Sequence, residues 1–341
     1  MITASVDGAG RAAAPVLHLF SGPSLAGWMP AFATRDRHRF QTLPRSADAT
    51  ETAACAAALV ECPDQRIVVH ADHLSLVRDA EVGRQLGQRG YDVIAPTPLA
   101  AAVGQDKVLM QWLLRRAGIP QPSDAHRAAP AANRPAVIKL RGGTEGKGTR
   151  LGDLSEGTES ELSEPFVHGH EYSVNVYTTD AGSMVFPPVA KGETRLDLVP
   201  PPRRRRECPA PALTPVLDAQ LRSMAVAAVS ACAAEGFAEV EFVVEHGTGE
   251  VLVLEVNPRV SGTLRMSAMA TRTRLLDLFS RRTAPTGAVH TVRAAVEEPY
   301  SGEPFCDLQQ GVVATSRITV AGTNHATARA HLDQLLEKTR V

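Results

Sequence analysis

The stretch Glu239–Arg259 constrains this chain more than any other. Val240, Phe242 and Val244 alternate with Glu239, Glu241, Val243 and Glu245. After the turn His246-Gly-Thr-Gly-Glu250, Leu252, Leu254 and Val256 alternate with Val251, Val253, Glu255 and Asn257. Two runs of period two joined by a short glycine-containing turn specify a β-hairpin. With Glu245 paired to Val251, the register sets Glu241 opposite Glu255, and Asn257 lies two residues further on the same face. Like charges directly opposed across a ladder destabilise it. A hard divalent cation offsets that repulsion, because Mg²⁺ takes oxygen ligands, usually one or two carboxylates plus phosphate. Glu241, Glu255 and Asn257 therefore read as an oxygen-only metal platform. The alternative is a solvated strand face with its charges turned outwards. Arg259, in Asn257-Pro-Arg259, sets a cation beside the platform and favours the metal reading.

A length of 341 residues corresponds to two or three domains. In residues 15–100 the candidate strands Val16–Phe20, Phe40–Leu43, Arg66–His70 and Tyr91–Ala95 alternate with the candidate helices Glu51–Val60 and Leu74–Arg89. That alternation implies a mainly parallel sheet. Ser21-Gly22-Pro23-Ser24 follows the first strand where a dinucleotide-binding protein would carry G-x-G-x-x-G. A tight turn is the plain reading of that segment, and a core position that of Trp28, although both could line a pocket. Asp106–Ala117 reads as a helix with Val108, Leu109, Trp112 and Leu113 on its apolar face, closed by Gly118 and Pro120. A strand Ala136–Leu140 then runs into the glycine-rich loop Arg141–Thr149. Thr214–Glu235 reads as a second helix, with Thr214 as N-cap, Pro215 at its first position and Gly236 closing it. Glu171, Ser173, Asn175 and Tyr177 alternate with Tyr172, Val174 and Val176, which places a polar strand face toward a cleft. Near the C-terminus, Val312–Val320 is strand-like and Ala326–Lys338 helical.

Charge and composition mainly exclude. Thirty-six basic and 37 acidic side chains leave a net charge of −1, which makes no case for nucleic acid or an anionic membrane as partner. The five cysteines show no C-x-x-C pair and no histidine cluster at ligand spacing, so neither a disulfide framework nor a structural zinc site is expected. No apolar run approaches the ~18 residues of a membrane span. The N-terminal Ala-rich stretch, broken by Pro15 and His18, makes a poor signal peptide. A cytoplasmic protein is the expectation.

The basic residues comprise 31 arginines and only five lysines: Lys107, Lys139, Lys147, Lys191 and Lys338. An ammonium is a compact point charge where a guanidinium is a wide fork, so scarce lysines invite attention to their positions. Gly142, Gly143, Gly146 and Gly148 leave backbone N–H groups free to meet phosphate oxygens. The loop is not a Walker A motif, since Arg141 replaces its first glycine and Gly148 replaces the Ser/Thr after Lys147. A flexible hairpin tip would look the same.

Taken together, residues 102–270 resemble the ATP-grasp superfamily, of the carboxylate–amine (amino-acid or peptide) ligase type. Asp106-Lys107, opening a helix that ends Ala-Gly-Ile-Pro120, is similar to the family's first ATP-lysine segment. Ala136-Val-Ile-Lys139 is similar to the second, and Glu164-Pro-Phe-Val-His-Gly-His-Glu171 to the hinge. The resemblance implies an α/β fold, with an N-terminal parallel-sheet domain (1–101) followed by two ATP-grasp subdomains (102–168 and 169–341) that clamp ATP. It implies that Lys107, Lys139, Gly143, Gly146, Lys147 and Gly148 meet the phosphates. Glu164, Phe166 and Val167 would frame the adenine, Glu171 would take the ribose hydroxyls, and Lys191 would be a further phosphate contact unless it is a surface lysine. Glu241, Glu255 and Asn257 would hold Mg²⁺, with Mn²⁺ as an alternative, and Arg259 with Lys139 would act on the transferred phosphate. The run Arg203–Arg206 could meet a substrate carboxylate, but a solvated loop is the commoner fate of such runs.

Such a protein would activate a carboxylate as an acyl phosphate, release ADP, and join the acyl group to an amine. A bicarbonate-activating enzyme, a kinase, or a nucleotide-binding protein without ligase activity are the competing expectations. The partners implied are a small-molecule carboxylate and an amine, with a homodimer as an assembly the resemblance permits. Nothing in residues 1–101 or 286–341 specifies either substrate.

Overall fold

The computed structural model describes residues 15–21, 23–34, 38–43, 48–62, 64–123, 135–144, 146–199, 203–211, 213–280, 286–314 and 316–339. Gly22, Glu145 and Pro200–Pro202 lie outside the described residues, as does the side chain of Lys338.

Three sheets follow one another along the chain. The first is four-stranded and wholly parallel, in the order His38–Thr42, Val16–Phe20, Arg66–His70, Val93–Ile94. Its inner strand is buried at every position, as a parallel strand covered on both faces must be. Helices Ala49–Ala58 and Leu76–Gln88 cover one face through Ala53, Ala56, Val82 and Leu86, against Leu17, Leu19, Ile67 and Val69. The fourth strand is shorter than its apolar run, because only Val93 and Ile94 find partners on Arg66–His70. The helix Pro98–Gln105, capped by Thr97, spans the expected boundary at residue 101.

The second sheet is a small antiparallel one, with Ala136–Leu140 between Arg150–Gly152 and Glu161–Pro165. The glycine-rich loop is therefore the tip of a hairpin. The third sheet has eleven strands, almost all antiparallel, and includes Gly169–Thr179, Gly236–Glu245 and Val251–Asn257. The largest apolar cluster joins Val16, Phe20, Trp28 and Met29 of the N-terminal region to Tyr177, Phe186, Phe237 and Phe279. This shared core fixes the first sheet against the third.

Several local expectations shift for identifiable reasons. Lys107–Arg116 is a helix capped by Asp106, whose carboxylate accepts from the amides of Val108 and Leu109 at 2.9 and 3.2 Å. Its buried face is Met110, Gln111 and Leu114, whereas Val108 and Trp112 are exposed. Apolar residues run through most of Val108–Leu114, so periodicity alone left the face undecided. The exposed Trp112 instead carries the Arg116 guanidinium 4.9 Å from its ring centroid. The helix expected to reach Glu235 ends at Ala231, because Ala233 takes the left-handed conformation (φ 49°) and turns the chain early. Gly236 is thereby freed to begin a strand. Val312–Val320 resolves into two strands, Gly311–Ala314 and Arg317–Gly322, with left-handed Ser316 (φ 57°) in the turn.

All five cysteines are free thiols. No helix among the described residues is long and apolar enough to cross a membrane.

Candidate active site

Glu241 does face Glu255, but by a different register from the one the turn suggested. Val244, not Glu245, pairs with Val251, and the ladder continues through Val243–Leu252 and Phe242–Val253. A bulge follows, and pairing resumes with Glu241–Glu255, Val240–Val256 and Glu239–Asn257. The extra residue is Leu254. A bulge turns two consecutive side chains toward one face, and both Leu254 and Glu255 line the same cleft. One irregularity thus sets an apolar side chain and a carboxylate next to each other on its floor.

That cleft opens between the second and third sheets. Lys107, Lys139 and Lys147 line it together with Gly143, Gly146, Glu164, Phe166, Val167, Glu171, Glu241 and Glu255. The Lys107 ammonium donates to the Gly143 carbonyl and to Glu255, each at 2.7 Å, tying the glycine loop to the hairpin. Lys139 pairs with Glu164, whose other oxygen accepts from Gln111 at 2.9 Å. Burial opposes the Lys139 charge, yet Glu164, with Glu255 and Glu241 beyond, holds its pKa above the ordinary lysine value. The loop above is shaped by glycine where it must be: Gly148 has φ +71°, and a Cβ there would come within 2.5 Å of Leu140 Cδ1. Glu171 accepts from Arg204 Nη1 at 3.0 Å, and Arg204 also lines the cleft. Of the polar strand face, only Glu171 reaches this cleft. Ser173 and Asn175 are buried against Thr263 and Ser267, and Tyr177 is in the core.

A second cavity abuts the first and shares Thr144, Gly146, Glu241 and Glu255 with it. Asn257, Arg259 and Lys191 lie here, with Ser24 and Trp28 contributed by the N-terminal region. Lys191 is neither a surface residue nor in the first cleft: it is buried, 2.7 Å from Glu241 and 3.4 Å from Glu239. Arg259 Nη2 donates to Asn257 Oδ1 at 3.2 Å.

Three features escaped the sequence reading. Glu239, read only as an alternating strand residue, is 5% exposed and bonded to Thr263 at 2.5 Å. Burial raises its pKa, but Lys191 and the Thr263 hydroxyl outweigh it and hold the carboxyl near 2. Glu241, by contrast, is pushed up by burial, with Glu239 and Glu255 adding to the effect against Lys191. The Arg203–Arg206 run is divided: Arg203 and Arg205 are exposed, whereas Arg204 enters the first cleft and Arg206 the second. Glu297, Arg265 and Arg317 form a buried ionic cluster, and both arginines line the second cavity. Their partners come from strands and a helix far apart in sequence, so no spacing could have announced them.

The donors Glu241, Glu255 and Asn257 are all oxygen-bearing, lie on one ladder and face one cavity, the chemistry a hard divalent ion requires. A glycine-tipped hairpin thus lies over the lysines, with opposed carboxylates on the floor. Residues 104–263 match the ATP-grasp domain family. One pyruvate carboxylase subunit of Methanothermobacter thermautotrophicus is 25% identical over 224 residues, covering 56% of this chain and 44% of that protein. The chain spans about half the length of the curated relatives it matches. Among solved structures, N5-carboxyaminoimidazole synthetase from Staphylococcus aureus complexed with ADP superposes with TM-score 0.69 at 16% identity, covering 94% of this chain and 96% of that one. The L-amino acid ligase from Bacillus licheniformis gives 0.67 at 15% identity, covering 94% and 97%. At such identities these two establish the fold.

Proposed function

We propose that this protein is an ADP-forming ATP-dependent ligase, which activates a small carboxylic acid as an acyl phosphate and transfers the acyl group to an amine. The observation that carries this reading is the shared wall: Glu241 and Glu255 border both the lysine-lined cleft and the second cavity. ATP in the first and an acid in the second would present the γ-phosphate and the carboxylate to each other at that wall.

In this reading Phe166, Val167 and Leu254 enclose the base, and Glu171 meets the ribose. Lys107, Lys139 and Lys147, with the amides around Gly143, Gly146 and Gly148, neutralise and orient the phosphates. Glu241, Glu255 and Asn257 hold Mg²⁺, which supplies charge neutralisation at the transferred phosphoryl group. Arg259 sits on the second-cavity side, where it stabilises the pentacoordinate phosphorus and then the acyl phosphate. Lys191 holds Glu239 and Glu241 in place. The carboxylate oxygen attacks the γ-phosphorus, the bond to ADP breaks, and the amine displaces phosphate from the acyl carbon. Positioning and electrostatics suffice for such a step.

Incubation with Mg-ATP, a panel of acids and hydroxylamine should release ADP and yield a hydroxamate. Formation of AMP and pyrophosphate would overturn the mechanism. The match to a pyruvate carboxylase favours bicarbonate as the second reading. ADP release dependent on bicarbonate, with no organic acid added, would select it.

A further inference from the structure

At one end of the second cavity three buried guanidinium groups share one carboxylate. Arg206, Arg265 and Arg317 surround a single carboxylate, Glu297, and none of the four residues is more than 6% exposed. Glu297 Oε2 accepts from Arg265 Nη2 at 2.6 Å and from Thr319 Oγ1 at 2.7 Å. Its Oε1 accepts from Arg317 Nε at 2.5 Å and from Arg206 Nη1 at 3.4 Å. One carboxylate is thus shared among three buried guanidinium groups. Of the other carboxylates lining this cavity, Glu239 and Glu241 meet Lys191 and Glu255 meets Lys107.

The two inner arginines are each held by two of their three nitrogens. Arg265 donates through Nε to Thr319 at 2.8 Å and through Nη2 to Glu297. Arg317 donates through Nε to Glu297 and through Nη2 to the Arg204 carbonyl at 2.8 Å. The third nitrogen of each, Arg265 Nη1 and Arg317 Nη1, is buried with no hydrogen-bond partner among the described residues. Buried donors are ordinarily satisfied, so each such exception calls for an explanation. Both arginines line the second cavity, and Trp28, 5.6 Å from the Arg265 guanidinium carbon, fixes the plane of that group. These donors are rigid, charged and lacking an acceptor.

We propose that the Arg265–Arg317 end of the second cavity is a subsite for a carboxylate that does not react. The substrate at this site then carries a free carboxylate, anchored away from the reacting centre at Glu241 and Glu255. Guanidinium groups suit a planar two-oxygen anion, to which they donate charge-assisted hydrogen bonds. Two sources share this chemistry: the second carboxylate of a dicarboxylic acid, or the α-carboxylate of an amino acid. This subsite deepens the ligase reading and rests on it for the fate of the anchored molecule, though not for its binding.

Isothermal titration calorimetry on the full chain tests it, with succinate and L-alanine as probes and succinamide and L-alaninamide as counterparts that lack the carboxylate. At least one carboxylate probe should bind at least 10-fold more tightly than its amide, and Arg317→Lys should weaken it at least 10-fold. Succinate alone points to a dicarboxylic donor, and L-alanine alone to an amino acid. Arg265→Lys repeats the test at the other donor. The Mg-ADP dissociation constant, whose cleft neither arginine lines, shows that each variant is folded. Equal binding of acids and amides, no binding of either acid, or indifference to both variants overturns the subsite. So does arginine-dependent binding of inorganic phosphate with none of succinate or L-alanine. If a carboxylate binds as expected but Mg-ADP does not bind the unaltered chain, the ligase reading fails and the subsite stands.

Discussion

Glu241 stands directly opposite Glu255 across an antiparallel ladder, and a different lysine meets each: Lys191 at 2.7 Å from the former, Lys107 at 2.7 Å from the latter. The two ammonium groups offset a repulsion that would otherwise open the hairpin. They also divide the site, because Lys107 belongs to the cleft under the glycine loop and Lys191 to the adjoining cavity.

Replacing Glu255 by Gln keeps the shape of the side chain and removes one anionic oxygen donor. ADP formation should fall by on the order of 10²–10³, while Mg-ADP still binds with reduced affinity. Steady-state turnover alongside calorimetry checks this. Undiminished turnover would remove Glu255 from the metal platform.

Lys139→Arg tests whether a point charge is needed. Lys139 is confined between Glu164 and the carboxylate wall, and the wider guanidinium fork cannot occupy the same place without displacing Glu164 from Gln111. ATP turnover should drop on the order of 10- to 100-fold despite the conserved charge, with the unfolding midpoint little changed. An arginine variant as active as the original would show that charge alone matters there.

Glu297→Gln leaves three buried guanidinium groups without their shared carboxylate. Removing one partner from a buried ionic set typically costs about 3–5 kcal/mol. Urea unfolding should show a loss of this size, and an unchanged midpoint would mean the cluster contributes nothing to stability.

A chain of buried histidines predicts acid sensitivity. Asp277 accepts from His38 Nε2 at 3.1 Å, His38 Nδ1 lies 2.8 Å from His18 Nε2, and His18 Nδ1 lies 2.9 Å from His70 Nε2. With the carboxylate accepting at one end, each neutral ring donates toward Asp277 through Nε2. Burial lowers the pKa of His70 to about 3, and burial with the charges of His70 and His38 lowers that of His18. The unfolded chain therefore binds protons first as pH falls. The stabilisation is complete above about pH 6.5 and is lost progressively as pH falls from there toward 3. His70 alone should cost about 2 kcal/mol between pH 6.5 and 5. Urea midpoints at pH 7.5 and 5.0 measure it; equal midpoints would contradict it.

The sequence by itself determined the local devices. Period-two alternation specified the hairpin and the facing of Glu241 with Glu255, strand–helix alternation specified the parallel sheet, and the cap residue Thr214 marked the start of the helix Pro215–Ala231. Ordered motifs from Lys107 to Arg259 made the superfamily legible, because phosphate and metal chemistry demand particular residues at particular places on short segments. Only the tertiary structure decided what depends on contacts between distant segments. The bulge at Leu254 is a compromise between the ladder and the packing beneath it, so the turn alone gave the wrong pairing for Glu245. Lys191 reads as isolated in sequence and proves to be buried among carboxylates from a strand two places away in the sheet. Arg206, Arg265, Glu297 and Arg317 meet only because a helix and three strands converge behind the second cavity. Burial and electrostatic balance are properties of that convergence, which is why the substrate end of the site was invisible in the one-dimensional pattern.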